Sequence, residues 1–249
     1  MKENSYIVTE TYSLPSQGKI YSRQVNPEVQ LTSMTTRHEL LRLSPSEKSY
    51  ENLAKVLDEC IVNDIGISAY DLCMGDFTYL LYKLRAVTYG PELTFIATCP
   101  KCGKKHEIKV NIDELEAIEF SDEIDKYRKF TLPKTKHEVE LFLRTPRMLD
   151  DVLLESAKKT PKGGVNQELI FGISAMVKSI DGNEPDRIVL DWIRDLPMMD
   201  TNTILRYAEK LNSSIGVNET AEVFCPNCGN KYTTGVKVGP TFFRPAVNI

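Results

Sequence analysis

Two short runs, Cys99-Pro100-Lys101-Cys102-Gly103 and Cys225-Pro226-Asn227-Cys228-Gly229, constrain the fold of this chain more than anything else in it. Each is a CPxCG turn. A two-residue spacer lets one tight turn offer two thiolates to one metal ion, and a tetrahedral site needs four ligands. One turn is therefore half a site, and two turns that meet make a whole one. The pairs are separated by 122 residues, against about 15–20 in a local zinc ribbon. That gap is a small obstacle, because loop-closure entropy grows only logarithmically with length. The reading is one structural Zn(II) held by Cys99, Cys102, Cys225 and Cys228. The alternative is a pair of turns that no longer bind metal. A thioredoxin-like dithiol fits poorly, because each CxxC precedes a strand, whereas a redox pair sits at a helix N-terminus.

The flanks of both turns alternate with period two. Leu93, Phe95 and Ala97 lead into the first turn, and His106, Ile108 and Val110 lead out. Val223-Phe224 precedes the second, and Tyr232 to Val238 follows it. Strand, turn, strand is the form of a zinc knuckle. The N-terminal MKENSYIVTE has no apolar core of a signal peptide. No stretch approaches 18 uninterrupted apolar residues, so no membrane insertion is expected. A reducing cytoplasm is the expected setting, where paired cysteines read as metal ligands. The remaining two cysteines, Cys60 and Cys73, fall on apolar helix faces and read as small core residues.

The knuckles close two stretches of similar order. The first runs LP, VQLTSMTTRHELL, MGDFTYLLYKLRAVTYGPELTFIATCPKCG; the second runs LPKTKHEVELFLRTPRMLDDVLL, MMDTNTILRYAEKLNSSIGVNETAEVFCPNCG. In both, an LP turn leads to an alternating strand, a Thr-capped helix, an Asp-capped helix, a Gly and a knuckle. Gly90 and Gly216 each precede their first cysteine by nine residues. The expected fold class is α+β: two homologous helix-rich halves, each ending in a strand–CPxCG–strand knuckle, joined by a shared, zinc-ribbon-like four-cysteine site. The expected divisions are an N-terminal arm (1–13), a first half (14–112, knuckle 99–103), an acidic exposed linker (113–129), a second half (130–240, knuckle 225–229) and a C-terminal tail (241–249).

Within this frame, Glu28 to Leu31 alternates as a strand, and Thr35 or Thr36 caps a helix with Glu39 placed for a capping box. Helices are predicted over 46–63, from Ser68, from Asp76 to a stop at Gly90-Pro91, and over 146–159, 166–180, 185–195 and 200–213. Phe130 to Arg144 reads as strand. The apolar tail TFFRPAVNI is expected to pack on its own domain, with docking to a partner as the alternative.

Composition narrows function. Apolar residues make up 41% of the 249, enough for a core. With 31 basic and 35 acidic residues the formal charge is −4, the wrong sign for a general nucleic-acid binder. Lys101, Lys104, Lys105, Lys109, Lys231 and Lys237 near the knuckles read as a solvated face. No catalytic constellation emerges. His38 lacks the second histidine of HExxH, His106 is superfluous beside four cysteines, His137 falls on a strand, and Pro161-Lys162-Gly163-Gly164 is not a phosphate loop.

The N-terminal LPSQGKIY, the following VQLTSMTTRHELLRL and the CPKCG and CPNCG knuckles resemble the T4-like bacteriophage baseplate proteins, specifically the baseplate hub subunit and hub assembly family. The resemblance spans nearly the whole chain. It implies a non-enzymatic protein that builds the hub of a contractile-tail baseplate, in the host cytoplasm during assembly or in the virion tail. Its partners would be other phage baseplate or tail proteins, with no small-molecule substrate and with nucleic acid unneeded. LPSQGKIY and the tail would serve as contact segments. Competing readings are a zinc-ribbon accessory protein associated with nucleic acid, and a zinc hydrolase. The hydrolase would need an open metal position, which four cysteines close.

Overall fold

The computed structural model describes residues 8–160, 164–184, 190–236, 238 and 242–243. The first residues of the expected arm, Pro161 to Gly163, the start of the helix expected at 185, Lys237 and most of the tail lie outside the described residues. The architecture is α+β, with eight helices and small antiparallel sheets among the described residues.

The chain opens with β1 (Thr9–Ser13) and β2 (Glu28–Thr32), paired so that Thr9 faces Thr32. The LPSQGK run is the buried corner of the loop joining them. Leu14 and Ser16 are almost fully buried, so this segment is no loose arm. Three helices follow: α1 (Thr36–Leu43), α2 (Glu51–Cys60) and α3 (Met74–Tyr89). Thr35 caps α1, and His38 Nδ1, rather than Glu39, accepts from the Thr35 N–H at 3.0 Å. Glu39 pairs with Arg42 instead. The helix predicted from Ser46 starts five residues later because Asp150 captures the Ser49 and Tyr50 amides. The helix expected at Ser68 is only a single turn over Ala69–Asp71.

Next come β3 (Glu92–Thr98) and β4 (Lys105–Asn111), a hairpin around the first CPxCG turn. The acidic stretch after it is mostly exposed, as its composition suggested, but it is anchored at points rather than free. Ile112 and Ile124 are buried in it, and it holds the short β5 (Ala117–Ile118) and α4 (Asp125–Arg128). Then β6 (Lys129–Thr131) and β7 (Glu138–Leu141) form a hairpin, where the sequence suggested one longer strand. Helices α5 (Pro146–Lys159) and α6 (Glu168–Met176) follow. The predicted helix 166–180 stops at Met176 because β8 (Val177–Ile180) pairs with β7. The chain continues through α7 (Leu190–Asp195), α8 (Met198–Asn212) and β9 (Gly216–Val217), which pairs with β5. It closes on β10 (Thr220–Phe224) and β11 (Lys231–Gly235), the hairpin around the second CPxCG turn.

Two apolar clusters form the core. One gathers α2, α3, the first two hairpins and also Val223, Val236, Phe242 and Phe243. The other gathers β6 to β8, α6 and α8, with Cys73 and Ile124. Phe242 stacks edge-on against Tyr82, and its carbonyl accepts from Arg85 Nε at 3.0 Å, so the two described tail residues pack on their own chain.

Two buried aspartates sit at the third position of their helices and do the same work. Asp76 in α3 accepts from the Ser16 amide at 2.9 Å, and Asp200 in α8 accepts from the Lys134 and Thr135 amides, both at 2.8 Å. Each therefore ties down the turn that follows a Leu-Pro pair. A third carboxylate, Asp150 of α5, reaches across to the start of α2, where it satisfies two amides and the Tyr70 hydroxyl at 2.9 Å. The α3 start also sits so close to β9 that a Cβ on Gly75 would lie 2.2 Å from the Ile215 carbonyl oxygen.

Asp150→Ala leaves two helix-end amides and a buried hydroxyl unsatisfied. The expected loss is about 2 kcal/mol or more in urea unfolding. An unchanged midpoint would show that this link does not support the fold.

Candidate metal centre

Both knuckles are built by the same backbone device. In the first, the Cys99 N–H donates to the Lys104 carbonyl at 3.0 Å, and the Gly103 N–H donates to the Cys99 carbonyl at 2.9 Å. In the second, Cys225 donates to the Asn230 carbonyl and Gly229 donates to the Cys225 carbonyl, both at 2.9 Å. The final glycine of each turn has φ near +68°: 68° at Gly103 and 67° at Gly229. That is the left-handed region, which costs other residues strain. Nothing crowds either glycine, so backbone conformation alone explains its presence.

These two turns, far apart in sequence, meet. The four Sγ atoms lie within 4.8 Å of one another. Cys99 Sγ is 3.8 Å from Cys228 Sγ, and Cys102 Sγ is 3.7 Å from Cys225 Sγ. A tetrahedron with metal–sulfur bonds of about 2.3 Å has edges of about 3.8 Å. The two cross-turn pairs thus stand at the edge length of a tetrahedral four-sulfur site, the whole set lies within 4.8 Å, and the four thiols could hold a metal ion. All six cysteines are reduced. Cys99 and Cys225 are buried, whereas Cys102 and Cys228 face outward.

The electrostatics suit a cation. Desolvation pushes the Cys225 thiol up, but the Asn227 and Cys228 amides and the facing thiols outweigh it and hold the group at about 6. Cys99 behaves alike: burial raises it, and the Cys102 and Lys101 amides bring it down. At Cys228 the Asn230 amide pulls down, yet burial and the three neighbouring cysteines prevail and push it up to about 11. Negative charge gathered on some thiols thus resists ionisation of the others, and a bound cation relieves that conflict.

His106 does not enter the cluster. Its Nε2 lies 3.0 Å from the Tyr232 hydroxyl, and both residues stand four positions after the second cysteine of their turn. The two hairpins therefore touch through corresponding residues. Lys101, Lys104, Lys105, Lys109 and Lys231 are exposed, and two are spent in ion pairs: Lys109 with Glu92 and Lys231 with Glu222. His137 pairs with Asp181 at 2.6 Å.

One arrangement escaped sequence reasoning. Cys60 Sγ is 3.5 Å from His38 Nδ1, and His38 Nε2 is 3.6 Å from Glu59 Oε2. This is the order of nucleophile, base and orienting acid. No sequence signal marks it, since α1 and α2 supply the parts from positions far apart. The chemistry fails on access: Cys60 has no exposed surface, and burial pushes its thiol up to about 12. Nδ1 is also taken by the Thr35 amide. The trio packs α1 on α2.

A family model described as T4 bacteriophage base plate protein matches residues 6–244. The chain belongs to this base plate family. No curated protein matches it, and no solved structure matches it. The resemblance to T4-like baseplate proteins is thereby shown at the level of the family, while its hub assignment is not part of that match, and the chain is a phage baseplate component. No helix among the described residues is long and apolar enough to cross a membrane.

A short iodoacetamide pulse on the folded, metal-stripped chain at pH 8 should modify the four knuckle cysteines and leave the buried Cys60 and Cys73 unmodified until unfolding. Cys228 should react more slowly than the exposed Cys102, because its thiol is pushed up to about 11. Mass spectrometry of the digested protein reads this out. Early labelling of Cys60 would show that its pocket opens.

Proposed function

We propose that the chain is a non-enzymatic assembly or structural component of the hub of a contractile-tail baseplate, and that one structural Zn(II) on Cys99, Cys102, Cys225 and Cys228 holds its scaffold together. The observation that carries the zinc reading is the convergence of four thiols within 4.8 Å, with two cross-turn pairs at 3.7 and 3.8 Å, the edge of a tetrahedral four-cysteine site. Such a site has no open ligand position, so its contribution is folding energy rather than chemistry. By joining turns 122 residues apart, the metal closes most of the chain into one loop.

The internal duplication belongs to the same proposal. Each stretch runs hairpin, helix, helix, return strand, helix, knuckle, with α7 as an extra helix in the second stretch and β1 of the first hairpin contributed from ahead of residue 14. The return strand is β8 beside β7 in the second stretch, and in the first it is the bridge of Ile61 to Leu31. The paired roles of Asp76 and Asp200 and the contact of His106 with Tyr232 support descent from one unit. On this reading residues 14–112 and 130–240 are the two halves, and 113–129 links them while packing on both. Partners are other baseplate or tail proteins, met in the host cytoplasm during assembly and in the virion tail afterwards.

Purified protein should carry close to one zinc per chain by elemental analysis, and Cys225→Ser should lower zinc to less than about half an equivalent and destabilise the fold by at least about 3 kcal/mol. Zinc below half an equivalent in the parent protein would refute the shared site. Zinc affinity should fall as pH drops, because protons compete with the metal for the thiolates. For the assembly role, affinity capture from cells expressing the other phage structural proteins should recover hub or wedge components. Recovery of polymerase subunits alone would overturn it.

A further inference from the structure

A second feature lies away from the cysteines, where the β1–β2 loop, the start of α3, β7, β8 and α5 converge. It is a cleft of about 530 Å³. Four cations line it: Lys19 and Arg23 from the loop, Arg128 at the end of α4, and Lys178 on β8. Only two acids share the lining, and both are already matched. Asp71 is held by Arg147 through two contacts of 2.6 and 3.0 Å, and Glu140 is held by Lys178 at 2.7 Å. Lys19 and Arg23 are exposed and neither lies within ion-pair distance of a described acid, although the Arg23 charge helps to hold the Asp71 carboxyl down. Lys19 Nζ instead sits 5.3 Å over the Phe120 ring. Arg128 reaches only a distant partner, Asp125 at 3.7 Å. The cleft is therefore positive in a chain whose net charge is negative. Its walls are apolar between the charges, with Ile20, Leu141, Leu143 and Met148.

We infer that this cleft is a docking site for an acidic, partly apolar peptide segment of another protein. Charge complementarity selects the acid: uncompensated cations at a cleft rim attract and orient an anionic partner. The apolar wall selects a peptide over a nucleic acid. A continuous phosphodiester would have to pass Glu140 and Asp71 and would leave the apolar surface uncovered. A peptide can place carboxylates against Lys19, Arg23 and Arg128 and set an apolar side chain between them. The proposal rests on the baseplate reading only in taking the source of the segment to be a protein neighbour.

The test uses the full chain and fluorescence anisotropy with three labelled probes. These are a peptide of Glu-Glu-Leu-Ser repeats, its Lys-Lys-Leu-Ser counterpart, and an oligothymidylate of similar length. The acidic peptide should bind saturably, more weakly as salt rises, and far better than its basic counterpart. The double variant Lys19→Glu, Arg23→Glu alters two exposed side chains and should keep the parent melting temperature while binding the acidic peptide about tenfold more weakly. Equal binding of both peptides, or of parent and variant, would overturn the proposal. Tighter binding of the oligothymidylate, lost in the same variant, would reassign the cleft to phosphate. Zinc content and capture of baseplate proteins are separate readouts, so failure of the cleft is distinguishable from failure of the baseplate reading.

Discussion

The meeting of two CPxCG turns is the constraint on which the rest of this structure depends. Each turn is locally determined: a proline, a left-handed glycine and two short backbone hydrogen bonds aim a pair of sulfurs outward from a two-stranded hairpin. An isolated hairpin of that size is marginal in water. Here each packs part of one face on the α3-centred core and shows the other to solvent, which leaves Ile96 and Phe224 exposed. The contact between the turns therefore needs a strong tie, and four sulfurs spaced for a tetrahedral ion supply the place for one.

Other ties across the molecule are polar and buried, and they share a logic. Asp76, Asp150 and Asp200 each spend a carboxylate on backbone amides that would otherwise be orphaned at a turn or helix start. Burial raises the Asp76 carboxyl, and the Ser16 and Tyr21 donors offset part of that cost. A buried carboxylate is tolerable only when its lone pairs are filled in this way. Such contacts set the angle at which helices meet hairpins, whereas the apolar clusters supply the bulk of the stabilisation. Gly75 against Ile215 adds a steric condition, since the helix and β9 could not approach with any side chain there.

Much of this was legible in the sequence, for identifiable reasons. Period-two alternation around the cysteines located the knuckle hairpins, and apolar spacing located α2, α3, α5 and α8. The cysteine spacing named a candidate site whose four members do come together. Errors arose where a distant partner overrode a local pattern. Residues 46–50 looked helical, but Asp150, about a hundred residues away, holds them as a turn. Val177 to Ile180 continued an apolar helical run, yet pairing with β7 makes it a strand. Residues 113–129 read as an exposed charged linker, and most are exposed, but composition hides the buried Ile124 and the β5 pairing with β9 that anchor it. The Cys60, His38 and Glu59 trio and the basic cleft were invisible for the same reason: their members are assembled by tertiary packing.

On the proposed reading this base plate protein works by presenting surfaces, and a surface is only as defined as the scaffold under it. On that reading a metal in the four-cysteine cluster fixes the two knuckle hairpins against each other, and the buried carboxylates tie the hairpin corners to the helices. The most direct test of the central claim is X-ray absorption at the zinc edge of the protein purified with its native metal. The account predicts a first shell of four sulfur atoms at about 2.3 Å and no lighter ligand. A first shell that requires nitrogen or oxygen, or a protein that folds to the same stability with no metal at all, would contradict it.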